Sequence, residues 1–393
     1  MNKKVKLLKI ESNTVLYCQS ISTMTIYEGI SPNNYIIKKI KKIIIQNPWL
    51  NGKLTKSDEK IFLEYNDNYT DNIEYIYNYI ENNELVFDLF IKNPNVNNYN
   101  KIINQISSFL VKSGIECLNK DEKLFKVILI KLIDNKFALI ISINHCIVDG
   151  YTYYKLYNMF SESIIEEKMI VERINNFDDI IKKNKSWQSN IGKYLFFLFN
   201  FIRKTKPLNL YIIEKNKFNN LKEEYKNKNI LISTNDIITS EFFNKSKTLI
   251  GLMNFNYRNL NINKYKLLSG NYIDTIYFNK KIYNPYIIRH ELNLYKLNKN
   301  TNDVNNTFYN KIYNYIYNIY NNIINIRNMF SLSCISSWDS LYKELIIQNS
   351  KKIIHIPCII NLNSSIYFNN FCMVFHYTNN KIGILSNINN LNY

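Results

Sequence analysis

FALIISINHCIVDGYTYYKLYNMF, residues 137–160, changes its period in the middle. Up to Ile143 it is a run of apolar, mostly branched side chains of strand length. From Gly150 onward Tyr153, Leu156, Tyr157 and Phe160 recur at three- and four-residue spacing, the rhythm of one helix face. The short polar turn between them holds His145, one of four histidines in 393 residues, with Asp149 four positions later and Gly150 directly after it. With 13 Asp and 8 Gly in the chain, H-x-x-x-D-G is expected by chance about 0.003 times. A turn at the end of a strand can present an imidazole into a cleft, and imidazole titrates near neutral pH, as a general base requires.

Working outward, KLFKVILIKLI (123–133) precedes this strand, and Asp134-Asn135-Lys136 is a short polar connection that predicts an antiparallel hairpin. Further upstream, NNYIIKKIKKIIIQNPWLNGKL (33–54) shows helical spacing from Ile36, a stop at Pro48 and a turn at Gly52 leading into a strand. Downstream, NILISTNDIITSEFF (229–243) reads as strand, polar turn and helix start, with Thr234 or Asp236 able to cap. GLMNFNYRNL (251–260), KIIHIPCIINL (352–362) and FCMVFHYT (371–378) read as strands, and a Tyr/Ile stripe predicts a long helix at about 303–328. The class expected is mixed α/β, with no P-loop, no GxGxxG and no internal repeat.

The net charge of +18 raises nucleic acid or an anionic membrane as partners. Half of it is concentrated in residues 181–230, where twelve Lys/Arg face three acids, which reads as a basic, solvated crossover between domains. Nucleic acid is therefore not expected. The heavy use of Asn, Ile, Lys and Tyr is a coding bias that weakens compositional argument in general. Six cysteines (Cys18, Cys117, Cys146, Cys334, Cys358 and Cys372) form no CxxC pair and no zinc-type spacing, so reduced, buried thiols and no metal are expected. The N-terminus lacks the apolar core of a secretory signal, and YLFFLFNFI (194–202) is about half the length needed to cross a bilayer. A cytoplasmic monomer is expected. GKYLFFLFNFIRK, with Lys206 beyond it, has an alternative reading as a peripheral membrane contact through 192–206.

The order strand, HxxxDG, helix resembles the superfamily of CoA-dependent acyltransferases that includes chloramphenicol-acetyltransferase-like enzymes, plant BAHD acyltransferases, wax ester synthases and peptide-synthetase condensation domains. QNPWLNGKL is similar to a segment that precedes the motif in that family, and ISTNDIITSEFF followed by LMNFNYRNL to a later helix start and arginine-bearing strand. SLSCISSWDSLY resembles the TSW stretch of the plant members. The resemblance implies two chloramphenicol-acetyltransferase-like subdomains, each a mixed sheet flanked by helices, with the active site in a tunnel at their interface. Residues 1–180 would form the HxxxDG subdomain, 181–225 the basic linker and 226–393 the second subdomain.

The same resemblance assigns roles. His145 is the general base for direct attack of a small-molecule alcohol or amine on acyl-CoA, and no nucleophilic Ser or Cys is needed. Asp149 turns away from His145 and pairs with Arg258, fixing the turn, while Gly150 lets the backbone turn tightly into the helix. Ser336 and Trp338 match oxyanion donors of the plant members, the alternative being a Ser-rich surface strand with a buried Trp. Asn235 and Asp236 match a motif that holds the second subdomain's geometry, or else form a plain helix cap. The chain departs from the family at Asn144, where many members carry a first histidine, and in lacking the plant DFGWG motif. Cys146 as a nucleophile is disfavoured, because neighbouring side chains at a strand end diverge. His290, His355 and His376 read as core or surface histidines. A catalytically silent binding module and a carrier-protein-dependent condensation enzyme are the competing readings.

Overall fold

The computed structural model describes residues 2–13, 15–67, 73–81, 86–174, 177, 207–248, 250–278, 282–297, 332–359 and 370–391. Its strands are β1 (Asn2–Lys6), β2 (Ile21–Gly29), β3 (Lys53–Ser57), β4 (Lys60–Asn66), β5 (Tyr77–Glu81), β6 (Phe125–Leu132), β7 (Lys136–Ile143), β8 (Asn209–Glu214), β9 (Ile250–Asn256), β10 (Ile273–Phe278), β11 (Leu332–Ser337), β12 (Ser350–Pro357), β13 (Asn370–His376) and β14 (Lys381–Ser386). Three sheets result. A five-stranded one has the order β12-β2-β7-β6-β5, a six-stranded one the order β10-β9-β11-β13-β14-β8, and a small antiparallel one the order β1-β4-β3.

The hairpin forms as its sequence demands. β6 and β7 pair antiparallel from Phe125 opposite Ile143 to Leu132 opposite Lys136. Asp134 and Asn135 take positive φ values of 55° and 51°, the two-residue conformation that matches strand twist and that short polar side chains tolerate. The five-stranded sheet is covered on both faces, which is why β7 is almost continuously apolar. On one face lie the helices Asn33–Gln46 and Gly150–Asn158, packing Ile36, Ile40, Ile43, Tyr153 and Tyr157 against Val127, Leu129, Leu139 and Ile141. On the other, Phe87, Phe90, Tyr99 and Ile103, from the helices Val86–Lys92 and Val96–Ile106, meet Ile128, Ile130 and Ile140. The helices Thr234–Lys245 and Pro285–Lys296 bury Ile238, Phe242, Phe243 and Ile288 against the six-stranded sheet.

The chain does not divide in sequence as simply as expected. β8 lies inside the segment read as a linker and the helix Asn219–Asn227 begins there, and β8 is the edge strand of the six-stranded sheet, paired with β14. Its alternate residues Leu210 and Ile212 pack into the core, so the strand buries apolar area that a linker would leave in water. β12, from the C-terminal part, pairs with β2 and completes the N-terminal sheet, His355 opposite Thr25. The two halves are thus stitched together by main-chain hydrogen bonds. Residues 230–233 are not a strand: among the described residues the backbone there has no partner strand and runs to the helix cap at Ser233. The long helix expected at 303–328 and the aromatic segment at 192–206 lie outside the described residues.

Candidate active site

His145 sits in a turn that leaves β7 and enters the helix Gly150–Asn158. The turn is held from within by Asn144, whose buried amide donates to Lys112 O at 3.0 Å while its Oδ1 accepts from Cys146 N at 2.9 Å. His145 Nδ1 lies 3.0 Å from Val148 O. A carbonyl oxygen only accepts, so the ring proton is on Nδ1 and Nε2 keeps its lone pair. Burial pushes the His145 pKa below its ordinary value, which keeps the ring neutral near pH 7.

Asp149 is engaged elsewhere. Its Oδ1 accepts from Thr152 N at 2.8 Å, capping the helix, and its Oδ2 accepts from Arg258 Nη1 at 2.6 Å and from Tyr272 N at 3.1 Å. Arg258 follows β9 and is fully buried, so each of its donors needs an acceptor. They find Leu268 O, Gly270 O, Thr152 Oγ1 and Asn256 Oδ1 at 2.9–3.1 Å, and the guanidinium lies against the rings of Tyr151 and Tyr272. A carboxylate committed in this way orients the turn and not the imidazole.

Gly150 does not have the backbone role expected of it. Its φ is not positive, and a Cβ built on it would stand 3.4 Å from Leu341 Cδ1 and 3.5 Å from Trp338 Nε1, which is ordinary contact. What distinguishes the position is the Trp338 indole resting over it, edge-on to Tyr154 at 6.1 Å between ring centroids.

A cavity of about 750 Å³ opens here between the two large sheets, a size suited to a small ligand. It brings together His145, Asp149, Gly150, Asn235, Asp236, Ser336 and Trp338, while Arg258 lies behind its wall. Ser336 is the penultimate residue of β11 and is partly exposed to the cavity, as is Trp338 two residues on. Met253, Phe255, Ile273, Leu292, Phe371 and Met373 make one apolar wall, and Gln19, Ser20 and Ser22 a polar one. Lys222, Arg289 and Lys296 also reach the lining.

Asp236 takes part in capping the helix Thr234–Lys245, but the N-cap itself is neither Asp236 nor Thr234. Ser233 is the N-cap and Asp236 reciprocates at the third helical position, its Oδ2 accepting from Ser233 N at 2.6 Å and from Arg289 Nη2 at 2.5 Å. Asn235 beside it donates only a long contact of 3.9 Å to Met253 Sδ. Cys146 is fully buried behind the turn, and burial raises its thiol pKa well above the ordinary value, which suppresses the thiolate a nucleophile needs. His355 is buried, its Nδ1 at 2.8 Å from Thr25 Oγ1 and its Nε2 at 3.1 Å from the Tyr154 hydroxyl. His376 joins Asp339 and Lys352 behind the Trp338 segment. Among the described residues no three His, Cys, Asp or Glu side chains are grouped to hold a metal ion, and no helix is long and apolar enough to cross a membrane.

Sequence reasoning missed Glu11, Arg173, Asn271 and Tyr272, which surround the turn from behind. In a chain so rich in Asn and Tyr, none of them carries a local signal.

No protein-family model and no curated protein matches the sequence. Solved structures do. The first condensation domain of the CDA synthetase superposes with a TM-score of 0.62 at 6% identity, covering 100% of this chain and 92% of that one. Vinorine synthase gives 0.59 at 13% identity, covering 98% and 89%. TRI101 of F. sporotrichioides, in complex with coenzyme A and T-2, gives 0.57 at 10% identity, covering 99% and 95%. At these identities the likeness establishes the fold, and that fold is the two-subdomain, chloramphenicol-acetyltransferase-like architecture common to condensation domains and BAHD acyltransferases.

Proposed function

We propose that this chain, which has the fold of the HxxxDG acyltransferases, moves an acyl group from acyl-CoA to the hydroxyl or amine of a small acceptor with His145 as general base. The observation that carries the reading is the His145 tautomer: Nδ1–H is committed to Val148 O, and the residue lines the cavity that Ser336 and Trp338 also line. In this reading Nε2 takes the acceptor's proton as its oxygen or nitrogen attacks the thioester carbonyl. The oxyanion that forms is stabilised by the Ser336 hydroxyl and the Trp338 indole N–H. Collapse breaks the C–S bond, and the departing thiolate takes the proton back from the imidazolium, leaving the ring as it began. Lys222 and Lys296 on the lining favour a donor that carries phosphates, Arg289 being engaged by Asp236.

A second reading has an observation of its own. The fold is shared with a condensation domain, which keeps the reading of a carrier-protein-dependent enzyme beside the first. One experiment separates the two. Thiol release is followed with a panel of acyl-CoAs and with the same acyl groups on a phosphopantetheinylated carrier, for the wild type and His145→Ala. Release from acyl-CoA that depends on His145 supports the first reading, and release from the carrier thioester alone supports the second. Release from neither, or release indifferent to His145, would sink the enzyme reading in favour of a binding module.

A further inference from the structure

We propose that Asn271 is a positioning residue for His145, gripping the backbone of the HxxxDG turn from the second subdomain and holding the imidazole in its base-competent orientation. The inference rests on the reading of His145 as the base. Asn271 Nδ2 donates to His145 O at 2.7 Å and also reaches Glu11 Oε1 at 3.3 Å. Both partners only accept, so the orientation of the amide is fixed by chemistry. Glu11 is itself fully buried and held, Oε1 accepting from Asn271 N at 2.8 Å and Oε2 from Leu8 N at 2.8 Å and Arg173 Nε at 2.9 Å. Arg173 in turn donates to Ser269 O at 3.0 Å, on the same short loop as Asn271.

The loop 269–272 thereby holds both ends of the motif. Asn271 holds the carbonyl of its first residue, and the next residue, Tyr272, donates its N–H to the Asp149 carboxylate at the motif's other end at 3.1 Å. Gly270 makes the approach possible, with φ at +110° and the Arg173 guanidinium so close that a Cβ would stand 2.6 Å from its Cζ. Because His145 Nδ1 bonds to Val148 O inside this turn, a shift of the turn's backbone changes the bond that fixes the tautomer. The Asn271 amide is buried, and its side chain acts on the His145 ring as well as on the His145 carbonyl.

The test reads the ring directly, so it does not depend on knowing the substrate. Histidine is labelled with ¹⁵N, the His145 signals are identified by their loss in His145→Gln, and tautomer and titration are compared in the wild type, Asn271→Leu and Asn271→Ser. The expected result is a fall of at least several-fold in the Nδ1–H to Nε2–H ratio of His145 in both variants, with His290, His355 and His376 unmoved. Asn271→Ser covers the case in which Leu prevents folding. A His145 tautomer ratio unchanged in a folded variant overturns the proposal. So does a shift of all four histidines together, which would mean general loosening. If the ratio falls as expected but the wild type releases no thiol from any acyl thioester, the positioning stands and only the enzyme reading fails.

Discussion

Asp149 turns its back on His145 and accepts from Arg258 Nη1 at 2.6 Å, although only three residues separate it from the histidine. The pair joins the end of the first subdomain's central hairpin to the strand end after β9, and the remaining donors of the guanidinium are answered by backbone, hydroxyl and amide oxygens. Buried ion pairs of this kind seldom add net stability, because desolvation offsets the attraction, but removing one partner leaves a bare charge in the core.

Asp149→Ala is therefore expected to destabilise the protein by about 3–5 kcal/mol, with a further contribution of about 1 kcal/mol from the lost helix cap. Urea unfolding measures it. Replacing both partners, Asp149→Asn with Arg258→Met, should recover part of the loss, and a double mutant as unstable as the sum of the single ones would contradict the pairing.

His145→Ala is expected to reduce thiol release from the preferred acyl thioester by about 10²–10⁴-fold with a melting temperature close to that of the wild type, since the ring faces a cavity. Steady-state kinetics beside a thermal melt separates lost chemistry from lost structure.

Trp338→Phe and Ser336→Ala test the oxyanion donors. Each should lower kcat by about 10²–10³-fold if it is a principal donor, with little change in KM, because the bond strengthens only as charge develops. A rise in KM at constant kcat would assign the residue to ground-state binding instead.

Burial lowers the pKa of His145 and, more strongly, of His355. In the unfolded chain both rings take up a proton near pH 6.5, while the folded rings stay neutral to lower pH. Between those limits the unfolded state binds more protons, so this stability is fully present above about pH 6.5 and is lost as the pH falls below it. Melting temperatures measured from pH 8 to pH 5 should drop on the acid side, and His355→Phe should flatten the slope. The acid limb of kcat/KM should likewise lie below pH 6.5.

Two glycines should respond differently. Gly150→Ala adds a Cβ at ordinary contact distance in the first turn of a helix, so its stability should stay within about 1 kcal/mol of the wild type. Gly270→Ala forces an alanine to a φ of +110° against the Arg173 guanidinium and should cost about 1–3 kcal/mol or more. Denaturant midpoints compare the two directly.

What could be read from the sequence was local. The change of period at residue 144, the Asp134-Asn135 turn and the apolar stripe of 33–46 each lie within one short window, where backbone sterics and side-chain period act alone, and each forms as read. The motif, with the resemblance it carries, pointed to His145, Asp149 and Arg258, which the fold brings into one place. The linker is read from its charge and the role of Gly150 from its place in the motif, but the apolar side chains of β8 found a sheet edge to cover and the glycine's φ is ordinary.

The sequence by itself determined the β6–β7 hairpin, the helix of residues 33–46, the mixed α/β class and the strand-turn-helix that carries the histidine. Only the tertiary structure decided that β12 completes the N-terminal sheet, that Asp149 holds the turn from behind, and that Asn271 and Glu11 support it. Asn271 lies 126 positions from His145 and 260 from Glu11 in the chain. Contacts at such separations are selected by burial and hydrogen-bond satisfaction once the sheets have packed, and they leave no periodic trace in the residues between.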